Sequence, residues 1–268
     1  MKLYGLKQKI VLLYDLLRLS NLTGSINTSY NYLRQNHPLD QIICSFQGLR
    51  FHARRSDWPV LREVFLNGEY SCLQKIFTSN ESPRIIDFGA HIGSFALAMF
   101  AHTRTAHIYS MEAAQDTAAI LEKNIELNPS FDWHIIRGAI WSGNDLIYLN
   151  RSQSSLGHQV GARDTGEPVE AFTPDEVLAK VGWDNIDLIK MDIEGAEGEV
   201  VPKAEQLFAR ARYLLIEIHN DRINGDAVFA ELGRQFGYIY RLGGRWSGKP
   251  VFLFSKTKVG SLSGWQKI

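Results

Sequence analysis

Apolar residues in this chain fall into short blocks of two kinds. Ile85-Ile86, Ala106–Met111, His134–Ile140, Ile186–Met191 and Tyr213–Ile218 are brief runs, rich in β-branched and aromatic residues, with the length of buried strands. Tyr238–Leu242 and Val251–Phe254 read as two final strands, with Gly243-Gly244 and Gly248 turning between them. Ser94–Phe100, Ala113–Leu127 and Asp226–Phe236 read as helices. Thr173 caps a further short helix, with Pro174 at its first position and Glu176 three residues on. Strands alternating with helices predict an α/β sheet.

The first residues follow a different pattern. Leu3, Leu6, Ile10, Leu13 and Leu17 recur at helical spacing, which predicts an amphipathic helix. Asp15 and Arg18 interrupt its apolar core, and no small-residue cleavage site follows, so it does not read as a signal peptide. The stripe is expected to pack on its own domain. Its alternatives are contact with a second copy in a homo-oligomer, or a membrane-surface anchor, because Lys2, Lys7, Lys9 and Arg18 flank it. Residues 21–56 read as polar and irregular, with Asn27-Thr28-Ser29 and His37-Pro38 as loop signals and a hairpin of Ile42-Ile43 and Leu49–Phe51 around Gly48. Asp57 reads as a helix cap ahead of Pro59, and Gly68 as that helix's stop. The expected division is a mostly helical N-terminal part at 1–80, covering the site, and the main domain at 81–268.

The stretch Arg84–Phe100, RIIDFGAHIGSFALAMF, organises the rest. A strand runs into a turn bounded by Gly89 and Gly93, and a helix follows. Such a unit holds a nucleotide, because the helix start offers unpaired N–H groups. A dinucleotide fold requires G-x-G-x-x-G around a pyrophosphate. Here there are two glycines, and Asp87 stands two residues before the first. A carboxylate there repels pyrophosphate and favours the ammonium of an amino-acid moiety. The ligand this implies is S-adenosylmethionine. Glu112 lies where such a fold places an acid on the ribose.

Length, 268 residues, and a hydrophobic fraction of 45% allow a sizeable core. The formal net charge is zero, which argues against nucleic acid as partner. Cys44 and Cys72 lack metal-type spacing and point to a reducing, cytoplasmic setting. No apolar run has the length of a membrane span.

Chemistry gathers at two further strand ends. Asp192, Glu194 and Glu197 follow the strand Ile186–Met191, and Glu217 and His219 close Tyr213–Ile218. Ligands in open α/β sheets bind at such carboxyl ends. Histidine titrates near neutrality, which suits a base. Glu217 and His219 share a face if the strand extends that far. A structural reading gives Glu194 or Glu197 to the following helix start and His219 to a sheet-edge hydrogen bond. A divalent metal on Asp192, Glu194 and Glu217 is a lesser alternative; no metal is assigned. The polar stretch Asn150–Glu167 reads as a loop and a candidate lid.

DFGAHIGSFAL, SMEA, EKNIELN, IDLIKMDIEGAEGEV and LLIEIH together resemble the FkbM family of S-adenosylmethionine-dependent methyltransferases, and SDWPVLREVFLNGEY resembles the segment preceding that family's core. The resemblance runs from about Arg84 to His219, and KMDIEGAE is its most specific piece. It implies a class I methyltransferase fold: a Rossmann-like, seven-stranded mixed sheet with the seventh strand antiparallel and helices on both faces. It also implies methyl transfer, usually to oxygen, on a sugar or glycan or on a secondary metabolite. Two positions depart from the family pattern: His91, where Asn is frequent, and Ala113, where Pro is. The residues expected at the cofactor are Tyr70, Asp87, Gly89, Ala90, His91, Gly93, Ser94, Glu112, Ala139 and Asp192. The candidates for catalysis are Asp192, Glu194 and His219. Competing readings are a nucleotide-dependent oxidoreductase, disfavoured by the missing glycine, and a non-catalytic binding module, disfavoured by the intact acids.

Overall fold

The computed structural model describes residues 2–34, 41–78, 81–143, 146–151, 158–161, 166–242, 251–260 and 265–267. Helices α1 (Lys2–Thr23) and α2 (Ile26–Arg34) lead into an antiparallel hairpin, β1 (Gln41–Phe46) and β2 (Leu49–Arg54). Its turn uses Gln47 and Gly48, both at positive φ, as a two-residue hairpin requires. A helical turn, α3 (Trp58–Leu61), then precedes two more short turns. The main chain continues as β3 (Arg84–Phe88), α4 (Ser94–His102), β4 (His107–Glu112), α5 (Gln115–Glu126), β5 (Asp132–Arg137) and β6 (Ala139–Ile140). Next come β7 (Ile147–Asn150), β8 (Gln159–Gly161), β9 (Glu167–Val169), β10 (Ala171–Phe172) and α6 (Pro174–Val181). The remainder is β11 (Ile186–Met191), α7 (Glu197–Val200), α8 (Glu205–Arg210), β12 (Ala211–Glu217), α9 (Gly225–Gln235), β13 (Tyr238–Leu242), β14 (Val251–Ser255) and β15 (Trp265–Lys267).

The main sheet has the order β15-β13-β14-β12-β11-β3-β4-β5. Strands β5, β4, β3, β11 and β12 are mutually parallel, and β14 is antiparallel to both β12 and β13. This is the expected seven-stranded mixed sheet, with the three-residue β15 added at one edge. The chain order runs outward from β3 in one direction and from β11 in the other. That reversal opens a crevice at the carboxyl ends of β3 and β11.

Strand alternation divides the core into two layers. Ile85, Leu188 and Leu215 point to the face covered by α4 and the N-terminal part. Ile86, Ile189, Leu214 and Phe254 point to the face covered by α6, α8 and α9. Leu49, Phe51 and Phe65 belong to the first cluster, so the N-terminal part and the sheet share one core. α5 also closes the outer edge of β2 with side chains. Asn124 Oδ1 accepts the His52 N–H at 2.6 Å and its Nδ2 donates to His52 O at 3.2 Å, while Asn128 makes the same pair of contacts with Arg50. A bare strand edge is thereby covered.

Several local expectations change. Asn27-Thr28-Ser29 lies inside α2, not in a loop: Ser25 Oγ accepts the Thr28 N–H, and Tyr32 is fully buried with its hydroxyl donating to Arg54 O. His37-Pro38 and the glycines after β13 lie outside the described residues. Asp57 stands at the α3 cap position, yet its carboxylate accepts from the Arg54 backbone and guanidinium. On α1, Leu13 and Leu17 of the predicted stripe are exposed with Tyr14, and packing falls to Leu19 and Leu22. Gly138, at φ 133, breaks the predicted strand His134–Ile140 in two. The described parts of the predicted loop 150–167 include β8 and the first residue of β9, paired on either side of β7. Among the described residues no helix is long and apolar enough to cross a membrane.

Candidate functional site

The turn after β3 and the loop after β11 meet in the crevice. Gly89 has φ 73, and a Cβ there would lie 1.9 Å from the Asp192 carbonyl oxygen. A side chain would force the two strand ends apart. At Gly93, φ 86, a Cβ would strike the Trp133 ring. These glycines therefore serve close packing around the crevice as well as the turn itself. The Gly89 and Ala90 N–H groups donate to Met111 O, which pins the turn to β4.

A cleft of about 860 Å³, including its open mouth, lies above this junction. Of the expected residues, Tyr70, Gly89, Ala90, His91, Ser94, Glu112, Ala139, Asp192 and Glu194 line it. Gly93, Asp87 and His219 do not. Lining residues that sequence reasoning missed include Val60, Phe95, Ile140, Leu149, His158, Val160 and Lys190. Val60 and Tyr70 come from the N-terminal part, Leu149 and Val160 from the small sheet of β7, β8 and β9, and His158 from the residue just before β8.

Glu112 is half-buried at the end of β4. Its Oε2 accepts the His91 N–H at 2.8 Å and its Oε1 the Ala114 N–H at 2.9 Å. Each oxygen keeps a lone pair for the cleft. Burial raises its pKa above the usual carboxylate range, against those two N–H donors. His91 has φ 54 and its ring faces Asp57 Oδ1 at 3.4 Å. Burial pushes this imidazole down to about 4, with Asp57 opposing, so it is neutral at neutral pH.

Asp87 occupies a different place from the one its position before the glycine predicts. It is fully buried beneath the turn, on the sheet face that also carries Lys190, its register partner across β3 and β11. Lys190 Nζ lies 3.4 Å from Asp87 Oδ1 and 3.8 Å from Asp192 Oδ2, and donates to Gly89 O at 2.9 Å. Burial alone would lower the Lys190 pKa; the charges of Asp87 and Asp192 outweigh it and raise it. Asp87 thus acts on the cleft through this ammonium. A lysine inside the apolar run Ile186–Met191, on the same alternation as Asp87, was the signal available in the sequence.

At the far end, His219 Nδ1 donates to Glu197 Oε1 at 2.8 Å, and both side chains are fully buried. His219 Nε2 faces Glu194 Oε2 at 3.2 Å and Asp192 Oδ1 at 3.8 Å. Burial would lower the His219 pKa, but Glu194, Glu197 and Asp192 overcome it and hold it up to about 10. The site draws positive charge to this nitrogen. Glu194 has φ 54, and Arg222 holds both its carboxylate and its carbonyl oxygen. β12 ends at Glu217, so strand alternation does not carry through to His219. Glu217 borders a separate recess with Glu69, Tyr70 and Leu215. The triad that gathers is Asp192, Glu194 and His219, without Glu217.

A doubly wound sheet with an antiparallel seventh strand, and a crevice ringed by strand-end acids, has the plan of a class I methyltransferase. The methyltransferase FkbM domain matches residues 87–240, more than half of the chain, and the chain belongs to this family. No curated protein matches it. Among solved structures it is similar to the bifunctional kinase-methyltransferase WbdD, at 16% identity and TM-score 0.46 over 77% of this chain and 41% of that one. It is similar also to the METTL16 MTase domain, at 14% and 0.46 over 73% and 68%. A third is the precorrin-6y C5,15-methyltransferase from Geobacter metallireducens GS-15, at 10% and 0.42 over 70% and 86%. The chain spans about two-fifths of the length of WbdD. The family assignment rests on the domain match.

Proposed function

We propose that this methyltransferase uses S-adenosylmethionine and methylates a hydroxyl of a sugar, a glycan or a secondary metabolite. The observation that carries the reading is a single cleft lined together by Glu112, Ala139, Asp192 and Glu194. The residues fit the group. Glu112 offers a carboxylate aligned by two N–H donors for the ribose hydroxyls. Met111, Ala139, Ile140 and Leu149 offer apolar walls for a base. Ser94 and the backbone of Gly89–His91 meet the amino-acid part, with Asp192 beside them. When bound, S-adenosylmethionine supplies an electrophilic methyl group on a sulfonium centre.

The chain's own work is positioning and proton handling. A displacement at a sulfonium has a good leaving group, so holding the acceptor in line is the main task. A neutral alcohol also needs a place for its proton, and a base contributes typically about 10²–10⁴-fold. In this reading the acceptor hydroxyl enters beside Asp192, Glu194 and His219, and the proton passes to that cluster. Asp192 Oδ1 is the open acceptor there, buried and without a hydrogen-bond partner. A net charge of zero supports a neutral small-molecule or glycan acceptor over nucleic acid. Two buried cysteines, neither in a disulfide, support a reducing, cytoplasmic setting. Self-association, in this reading, uses the exposed Leu13, Tyr14 and Leu17 of α1.

Calorimetric titration with S-adenosylhomocysteine, with NAD as the control ligand, tests the reading. Saturable binding of the former alone is expected, followed by methyl transfer in a screen of hydroxylated sugars and metabolites. Binding of NAD in its place would overturn it in favour of an oxidoreductase.

A further inference from the structure

We infer that Asp192, Glu194 and His219 form a site for one divalent first-row cation at the acceptor end of the cleft, with Glu197 orienting the imidazole. The inference deepens the proposed function, and rests on it only for what the cation does.

The geometry is that of a ligand set. Carboxylate oxygens only accept, so the bond to Glu197 Oε1 puts the proton on His219 Nδ1 and turns Nε2 toward the cluster. His219 is fully buried, and Nε2 makes no hydrogen bond of its own. Asp192 Oδ1 is likewise buried and unpartnered. One donor atom from each of the three residues lies within 4.8 Å of the others. Donors that share one ion, each about 2.0–2.2 Å from it, stand roughly 3–4.4 Å apart, and His219 Nε2 lies 3.2 Å from Glu194 Oε2 and 3.8 Å from Asp192 Oδ1. A metal-bound histidine almost always gives its other N–H to a carboxylate, carbonyl or water. Glu197, with no exposure to solvent, takes that role.

The charges agree. Asp192, Glu194 and Glu197 surround His219, and Asp87 and Glu217 act on Lys190 from behind. Against these acids the neighbouring cations are Lys190 and Arg222. Lys190 engages Asp192 through Oδ2 and leaves Oδ1 to the cluster. Arg222 pairs with Glu194 Oε2, so the open carboxylate oxygen that Nε2 faces is Asp192 Oδ1.

A set of one imidazole and two carboxylates suits Mn²⁺ or Zn²⁺ better than the all-oxygen demands of Mg²⁺ or Ca²⁺. Three protein donors leave coordination positions open, and Asp192 and Glu194 face the cleft. An acceptor hydroxyl completing the shell would lose its proton more readily, as metal-bound water does. The proton leaves through the mouth, where the Asp192 side chain is 31% exposed.

The test uses the full chain stripped of metal with a chelator. Mn²⁺ is titrated and the free ion followed by electron paramagnetic resonance. One saturable Mn²⁺ per chain is expected, bound at least roughly tenfold more weakly by both Asp192→Asn and Glu197→Gln. Asp192→Asn is near-isosteric at a partly exposed position, and circular dichroism melts verify that each variant is folded. S-adenosylhomocysteine affinity stays unchanged in Glu197→Gln, because Glu197 does not line the cleft. Absence of saturable Mn²⁺ binding, or equal affinity in folded variants, overturns the inference. A chain that binds S-adenosylhomocysteine and no Mn²⁺ keeps the proposed function and loses the cation site. A chain that binds Mn²⁺ through these residues and no S-adenosylhomocysteine does the reverse.

Discussion

Replacing Glu112 with glutamine keeps the side chain's size and removes one acceptor atom. In the native chain each carboxylate oxygen takes one backbone N–H, from His91 at 2.8 Å and from Ala114 at 2.9 Å. Glutamine has a single acceptor oxygen, so its amide N–H₂ must face one of those donors. One N–H at the base of the cleft is then unsatisfied, which costs about 1–3 kcal/mol. The lone pairs that face the cleft change too. A hydrogen bond to a charged group contributes about 1.5–3 kcal/mol, so losing one weakens binding roughly 10–150-fold. Two measurements separate these effects. The melting temperature of Glu112→Gln falls, by roughly 2–4 °C for each kcal/mol lost. Calorimetric titration with S-adenosylhomocysteine gives the larger drop. A lower melting temperature with unchanged affinity would refute the ribose contact, and leave Glu112 as a brace for the turn alone.

The remaining predictions concern the frame around the site. Asn124→Ala strips the His52 N–H, His52 O and Ile92 O of their buried partner, and is expected to lower stability by about 2–4 kcal/mol. Urea unfolding measures this as a lower midpoint at constant slope; an unmoved midpoint would show that α5 holds β2 by apolar packing alone. His91 is held neutral by burial, its pKa at about 4 against 6.5 for an exposed imidazole. A folded value below the unfolded one means its contribution is full above about pH 6.5 and declines as pH falls toward about 4, by up to roughly 3 kcal/mol. His91→Asn removes that titration, so its melting temperature should fall less steeply over the same range; parallel curves for the two proteins would count against it.

Local patterns carried most of the frame. The strand, glycine turn and helix at Arg84–Phe100, the Thr173 capping box and the Gln47-Gly48 hairpin all depend on residues within a few positions of one another, so period and turn chemistry suffice to read them. The acids at the ends of β4 and β11 were legible for the same reason, because a strand that ends leaves its next residues at the crevice. The helix α2 was not legible. Its Asn27-Thr28-Ser29 stretch is polar, and its anchor is Tyr32, whose hydroxyl reaches Arg54 across the fold.

What the amino-acid order determined by itself is the succession of elements, the family, and the strand ends at which carboxylates stand. The tertiary structure alone decided which of those groups meet. Asp87 reads as a cleft residue from its distance to Gly89, yet register across β3 and β11 sets it against Lys190 beneath the floor. His219 reads as Glu217's neighbour, yet β12 ends between them, and His219 turns to Glu197, which lies 22 positions earlier in the chain. The cleft's walls come from Val60, Tyr70, Leu149 and Val160, on elements far apart in sequence. Periodicity reports which side of an element a residue takes. It carries no information about which element lies opposite, because that is set by the burial of apolar faces over the whole chain at once.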